Sequence, residues 1–339
     1  MKYKRIVVRQ YGGPEVLEVE EVEARNPNAG ECRVRVMAAG ITRSDIMMRR
    51  GVYPVSLPAC PFTPGREIAG VVDLVGDGVT GIKGGEPVIA FMHHGGYSGS
   101  VFVPESELVP IPLTVDFSEA ASLPMNYATA YQMFNRCADL GFGKRILVHG
   151  AGSGVGTALL QLGALAKVDM IGTASKEKHA LLVRLGATPL DYRSQDFVKF
   201  VNTLPKPGID TVFDPIGGSH IWRSFRTLRP GGKVIVYGEQ SYAGAEKTNR
   251  FERLAHHFLL RWLNYWPNKE VMFYELDPTH ANFDQNAHLQ DLRALVDLLN
   301  NGLIKPVIAA KFPLEEVKRA HQIFDAGGVA GRLVLNIGG

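Results

Sequence analysis

The segment 145–156, Arg-Ile-Leu-Val-His-Gly-Ala-Gly-Ser-Gly-Val-Gly, restricts the folds open to this chain more than any other. Ile146 to His149 read as a buried strand, and a turn dense in glycine follows. Residues 157–167, Thr-Ala-Leu-Leu-Gln-Leu-Gly-Ala-Leu-Ala-Lys, have the composition of a tightly packed helix. Strand, tight turn and helix N-terminus in this order cradle a dinucleotide pyrophosphate. Backbone N–H groups and the positive end of the helix dipole meet the negative charge, and glycine lets the backbone come close. Glycine is also the default residue of any tight turn, so the motif needs support from its surroundings.

The following residues supply it. Strand-like runs at 170–173, 189–192, 210–213 and 233–237 alternate with helix-like runs at 177–185, 195–203 and 219–228. Such alternation argues an α/β fold with a parallel, doubly wound sheet. Residues 127–140 read as a helix leading into it, and 271–276 as a candidate sixth strand. The first third differs. Residues 5–8, 17–22, 31–38, 68–75 and 86–91 read as short strands separated by Gly and Pro, the texture of a compact, barrel-like β domain. Residues 290–301 form a helix closed by Gly302, and 332–337 a strand returning to a sheet. Within 249–266, apolar residues at 251, 254, 258, 262 and 265 have helical spacing; a helix packed on its domain or over a cleft is expected, with membrane contact not expected.

A chain of 339 residues exceeds what one core usually supports, so two domains are expected. With 37 basic against 34 acidic residues and no long basic run, a nucleic-acid partner is not expected. No apolar stretch is long enough to span a bilayer and the first residues lack a signal-peptide core, which makes cytoplasmic residence the expectation. Cys32, Cys60 and Cys137 are too scattered for a disulfide framework or a thiolate zinc cage.

NAD-preferring dinucleotide folds place an acid about 20 residues after the glycine turn, on the ribose 2′-hydroxyl. Here the strand ends at Ala174, followed by Ser175, Lys176 and Lys178, which suit a 2′-phosphate. NADPH is the expected cofactor. The metal-ligand candidates, His93 with His94 and Glu67 with Asp45, do not make a convergent zinc set, and no metal is expected.

Several stretches together carry a resemblance: 38–45 (Ala-Ala-Gly-Ile-Thr-Arg-Ser-Asp), 50–54, 64–70 (Pro-Gly-Arg-Glu-Ile-Ala-Gly), 126–131, the glycine turn, 172–179, 209–218 and 228–238. The chain resembles the zinc-free medium-chain dehydrogenase/reductases of the quinone oxidoreductase (zeta-crystallin) group, and within it the vesicle amine transport protein branch. The resemblance implies a GroES-like β-rich substrate domain from residues 1–124 and 276–339, and a Rossmann domain from 125–275, with the active site in the cleft between them. It also implies that zinc-dependent relatives hold Cys, His and Cys where this chain has Thr42, Arg66 and Asn126. An arginine cannot be deprotonated at ordinary pH, so Arg66 would repel zinc.

Carried over by position, the family's glycine turn falls on Gly150, Ser153 and Gly156, with Gly152, Ser153, Gly154 and Val155 along the pyrophosphate. Ser175, Lys178 and Tyr192 would hold the adenosine phosphate, with Arg332 a further candidate. Asn126 and Thr129 would approach the nicotinamide. Thr42, Asp45 and Tyr53 would line the substrate cleft, Tyr53 as candidate donor to a developing oxyanion. For Arg66 a salt bridge to Asp45 or Glu67 is expected. The implied function is NADPH-dependent reduction of quinones or α,β-unsaturated carbonyls (enones) by a homodimer. The rivals are an enoyl-type reductase for one biosynthetic intermediate and a non-catalytic NADPH-binding protein.

Overall fold

The structure, a computed structural model, describes residues 1–138, 140–238, 263, 265–280 and 283–338. Its contacts divide the chain into two compact units: Met1–Ala128 with Leu276–Gly339, and Thr129–Glu275.

Among the described residues, the Thr129–Glu275 unit is built on six parallel strands. In chain order they are Arg145–His149, Asp169–Ala174, Thr188–Asp191, Ile209–Asp214, Leu228–Val236 and Lys269–Phe273, and in space they lie in the order third, second, first, fourth, fifth, sixth. Every neighbouring pair is parallel. Parallel strands buried on both faces need near-continuous apolar runs. Ile146, Leu147 and Val148, then Val234, Ile235 and Val236, meet that demand with no more than trace exposure. The fifth strand starts earlier than its 233–237 reading because it pairs through a bulge. Ile209 faces Leu228 and Thr211 already faces Lys233, so residues 229–232 are looped out of the ladder to the fourth strand, while Gly232 still pairs with Lys269 of the sixth. The sixth strand occupies the sheet edge.

In the other unit a seven-stranded sheet runs Ile308–Pro313, Arg332–Asn336, Glu31–Ile41, Glu67–Val75, Pro87–Phe91, Leu108–Pro110, with Ser100–Pro104 also paired to Glu31–Ile41. All pairs are antiparallel except the first, which the helix Val317–Ala326 separates in sequence. Strand Glu31–Ile41 alternates buried and wetter positions as its sequence predicts, then buries Ala38 to Ile41 outright. That end pairs with the C-terminal strand, Asn336 opposite Ala38 and Leu333 opposite Ile41. A separate ribbon pairs Lys2–Val8 with Leu17–Glu23.

Helix boundaries depart from the sequence reading where caps decide them. Helix Gln285–Asn300 begins five residues before its apolar periodicity because the Asp284 carboxylate accepts from the Ala287 N–H. The helix read at 127–140 instead spans a regular stretch Ala128–Gln132 between two wider, π-type turns, Leu123–Tyr127 and Met133–Cys137. The 249–266 segment lies outside the described residues, apart from residues 263, 265 and 266 near its end. Among the described residues, no helix is long and apolar enough to cross a membrane.

Candidate functional site

The Thr129–Glu275 unit presents its glycine turn where the strand order reverses. Strand Arg145–His149 lies between Asp169–Ala174 and Ile209–Asp214, so the turn after His149 opens at the switch point, where dinucleotides lodge in open α/β sheets. Gly150 has φ 61°, the left-handed region that a side chain resists. Ser153 caps helix Gly154–Leu165, its hydroxyl accepting from the Gly156 N–H at 3.1 Å. A Cβ on Gly156 would lie 2.7 Å from the Ala151 backbone, so only glycine lets helix and turn meet. Gly152 is covered by Lys178, whose Cδ would lie 2.6 Å from an added Cβ. Two predicted phosphate residues are thus adjacent, and burial pulls the Lys178 ammonium below the usual lysine range.

The remaining cofactor candidates of this unit are spread around it. Ser175 is buried at the end of strand Asp169–Ala174, its carbonyl accepting from the Lys178 N–H at 2.9 Å. Tyr192 is exposed, with the Arg193 guanidinium 5.6 Å from its ring centroid. Thr129 is buried. Behind the turn, His149 and Asp214 end the two switch-point strands. The His149 Nε2 and Ser224 Oγ lie 3.3 Å apart, Ser224 donates to Asp214 Oδ2 at 2.7 Å, and His220 Nδ1 lies 2.8 Å from the same oxygen. His149, Asp214 and His220 have the donor types of a metal set, with ligand atoms within 4.8 Å of one another. Those atoms already serve one another and Ser224 inside the unit. Asp214 Oδ1 also accepts from the N–H groups of Ile216 and Gly217, which shapes the loop after the strand.

The substrate-side candidates belong to the other unit. Thr42 caps helix Arg43–Arg50, and Asp45 returns the bond in a capping box. Asp45 is fully buried; Oδ2 accepts from the Thr42 N–H at 2.8 Å and hydroxyl at 2.6 Å, and Oδ1 accepts from the Gly65 N–H at 3.1 Å. Burial pushes its carboxyl up against those hydrogen bonds and the Arg66 charge. Asp45, expected along the substrate cleft, has its oxygens engaged at the start of the helix and at Gly65. Arg332 is engaged inside its unit as well. At 3% exposure, its Nη2 donates to Glu67 Oε1 and its Nη1 to the Ser122 carbonyl at 3.2 Å, which makes it the counter-ion of a buried carboxylate. Glu67 Oε2 accepts from the Met125 N–H at 2.9 Å, so this pair anchors the turn that carries half-buried Asn126.

Arg66 pairs with neither Asp45 nor Glu67. Its Nη2 donates to Asp277 Oδ2 at 2.9 Å and its Nη1 to the Tyr53 oxygen at 2.8 Å, while the Tyr53 hydroxyl donates to Asp277 Oδ2 at 2.5 Å. Sequence reading missed Asp277, because nothing in its local sequence links it to a residue 211 positions earlier. Burial pushes the Asp277 carboxyl up, but bonds from Thr279 and Tyr53 and the Arg66 charge outweigh it and hold it below the usual range. Beside this group Phe91, Pro278, Thr279, Phe283 and His288 line a pocket of about 200 Å³. Of the histidine pair, His93 is half-buried with Nε2 2.9 Å from the Ser56 carbonyl, and His94 is exposed.

Two buried histidines tie stability to pH. His321 is held neutral by burial and by the Arg49 charge, its pKa lowered to about 3; His149 is lowered to about 3 chiefly by burial. The unfolded chain takes up these protons near pH 6.5, the folded protein only near pH 3, so their contribution is complete above about 6.5 and fades as pH falls through that window. Each is expected to remove up to about 1.4 kcal/mol per pH unit inside it. Urea midpoints at about pH 7 and about pH 5 check this, with His321→Asn showing the smaller drop.

The parallel sheet with its glycine turn at the switch point defines a Rossmann-like domain, here joined to a GroES-like β-rich domain. A family model described as an alcohol dehydrogenase GroES-like domain matches residues 28–113, and one described as zinc-binding dehydrogenase matches residues 185–335. The chain is 33% identical to a synaptic vesicle membrane protein VAT-1 homolog of Danio rerio, over 98% of this chain and 70% of that protein. It is 29% identical to a quinone oxidoreductase of Rattus norvegicus, over 98% and 97% respectively. The crystal structure of an Escherichia coli quinone oxidoreductase complexed with NADPH superposes with a TM-score of 0.85 at 26% identity, covering 98% of this chain and 99% of that one. The chain belongs to the medium-chain dehydrogenase/reductase family of oxidoreductases, in its quinone oxidoreductase group near the VAT-1 branch.

Proposed function

We propose that this protein is an NADPH-dependent, metal-independent reductase of quinones or enones. The observation that carries the reading is Lys178 laid across Gly152 of the glycine turn, from the short helix Lys176–Lys178 that follows a strand ending in Ala174, where an NAD-preferring fold has its acid. Gly152, Ser153, Gly154 and Val155 bind the pyrophosphate by backbone N–H groups and the helix dipole. Lys178, Ser175 and Tyr192 hold the adenosine 2′-phosphate, and Thr129 and Asn126 the nicotinamide end. The bound nicotinamide supplies hydride to an electron-poor carbon. Tyr53 is the candidate donor to the oxyanion that develops on the substrate. The relatives named as quinone oxidoreductases, one of them solved with NADPH, support this choice of substrate and cofactor.

The cofactor half of this reading predicts that Lys178→Ala weakens NADPH binding by about 10- to 150-fold and leaves NADH binding within about twofold, since one charge-assisted bond to the extra phosphate contributes roughly 1.5–3 kcal/mol. Fluorescence titration of both cofactors measures it, and equal losses for the two would contradict it. The activity half is tested by NADPH consumption with a panel of quinones and enones. Binding without consumption on any of them returns the protein to the non-catalytic class.

A further inference from the structure

Arg66 and the distant Asp277 meet at the Tyr53 oxygen. Arg66 and Asp277 are an ion pair with 0% exposure on both side chains. Burying two charges costs desolvation that their attraction seldom more than offsets, so such a pair is weak evidence of a stability role. Here the pair is turned on one hydroxyl. Arg66 Nη1 donates to the Tyr53 oxygen, that hydroxyl donates to Asp277 Oδ2, and Arg66 Nη2 donates to the same Oδ2, which closes a triangle of hydrogen bonds. Neither charge is free to swing away. The guanidinium carbon lies 5.3 Å from the Tyr53 ring centroid and 5.1 Å from that of Phe91. Asp277 Oδ1 accepts from both the N–H and the hydroxyl of Thr279, at 2.8 and 2.5 Å. Tyr53 itself is only half-buried.

We infer that Arg66 and Asp277 are positioning residues that act on Tyr53 in opposite senses. The guanidinium favours the phenolate left when Tyr53 gives up its proton, and the carboxylate holds that proton in a fixed direction until a stronger base arrives. This rests on the reductase reading, in which hydride transfer from the reduced nicotinamide leaves an oxyanion on the substrate. The Tyr53 O–H bond then breaks as an O–H bond forms on that oxyanion, Arg66 Nη1–H stays on the phenolate oxygen, and water returns the proton. Both electrons come with the hydride. Among the described residues, Arg66 and Asp277 are the charged groups bonded at the hydroxyl, while His93 at the Ser56 carbonyl and Tyr11 at the Pro58 carbonyl are titratable groups bonded to the loop that follows Tyr53.

The test titrates Tyr53 by ultraviolet difference against Tyr53→Phe, in the full chain without substrate, and follows the basic limb of kcat with a quinone. Loss of the cation in Arg66→Met is expected to move both upward by about one pH unit or more. Loss of the anion in Asp277→Asn is expected to move both downward, and Arg66→Lys to bring them back toward the wild-type position. Shifts of the same sign, or none, overturn the proposal, because a purely structural pair would lower stability without opposed movements. If a single variant with one unpaired buried charge does not fold, Arg66→Met/Asp277→Asn, which leaves neither charge, decides. A kcat at least about tenfold lower at unchanged NADPH affinity supports the proposal, and a wild-type kcat overturns it. Opposed shifts in a wild-type protein that turns over nothing would fault the reductase reading alone.

Discussion

Replacing Glu67 by alanine is expected to lower the unfolding free energy by about 3–5 kcal/mol, the usual cost of leaving one partner of a buried ion pair uncompensated. Arg332 would remain at 3% exposure with only the Ser122 carbonyl to accept from its fork, and the Met125 N–H would lose its acceptor. The effect reaches beyond the core to Asn126, proposed for the nicotinamide end, because Met125 precedes it in the Leu123–Tyr127 turn. Gly40 belongs to the same arrangement: a Cβ there would overlap both the Arg332 guanidinium and the Glu67 carboxylate. Chemical denaturation followed by tryptophan fluorescence measures the loss. A change below about 1 kcal/mol would mean that the pair is only a surface-like contact.

Gly156→Val is expected to abolish measurable NADPH binding while the GroES-like unit stays folded. Its Cβ would lie 2.7 Å from the Ala151 backbone, against rigid main chain rather than a yielding side chain. Helix Gly154–Leu165 would have to move off the turn, which breaks the Ser153 cap and turns the N–H groups of Gly154 and Val155 away from the phosphates. Overpacking of this kind costs about 1–3 kcal/mol, less than the loss of the nucleotide site implies. The variant should therefore be folded by circular dichroism and silent in a cofactor titration. Near-normal affinity would show that the turn does not carry the pyrophosphate.

The Rossmann architecture was legible because its signals are local. Residues 145–156 encode strand, turn and cap within one stretch, and the β-α alternation after it repeats at a length that sequence periodicity can read. The parallel sheet follows, with Lys178 against Gly152. Long-range partnerships were not legible. Arg66 and Asp277 are 211 residues apart, Glu67 and Arg332 are 265 apart, and no pattern in either neighbourhood favours these pairings over Arg66 with Asp45 or Glu67. The partners of Asp45 were half legible: an acid three residues after a threonine can form a capping box, but the Gly65 N–H that Oδ1 accepts from comes from another part of the chain. Helix Gln285–Asn300 was shortened because its first turn, Gln-Asn-Ala-His, carries no apolar period and is set by Asp284 alone.

Hydride transfer is tested most directly by isotope. The protein is supplied with NADPH deuterated at nicotinamide C4 and a simple enone, and the product is read by mass spectrometry and NMR. The account predicts one deuterium at the β-carbon, a solvent-derived proton on the adjacent carbon, and the same result after exhaustive metal chelation. A product without deuterium, or no NADPH consumed with any quinone or enone by a protein that binds it, would contradict the account.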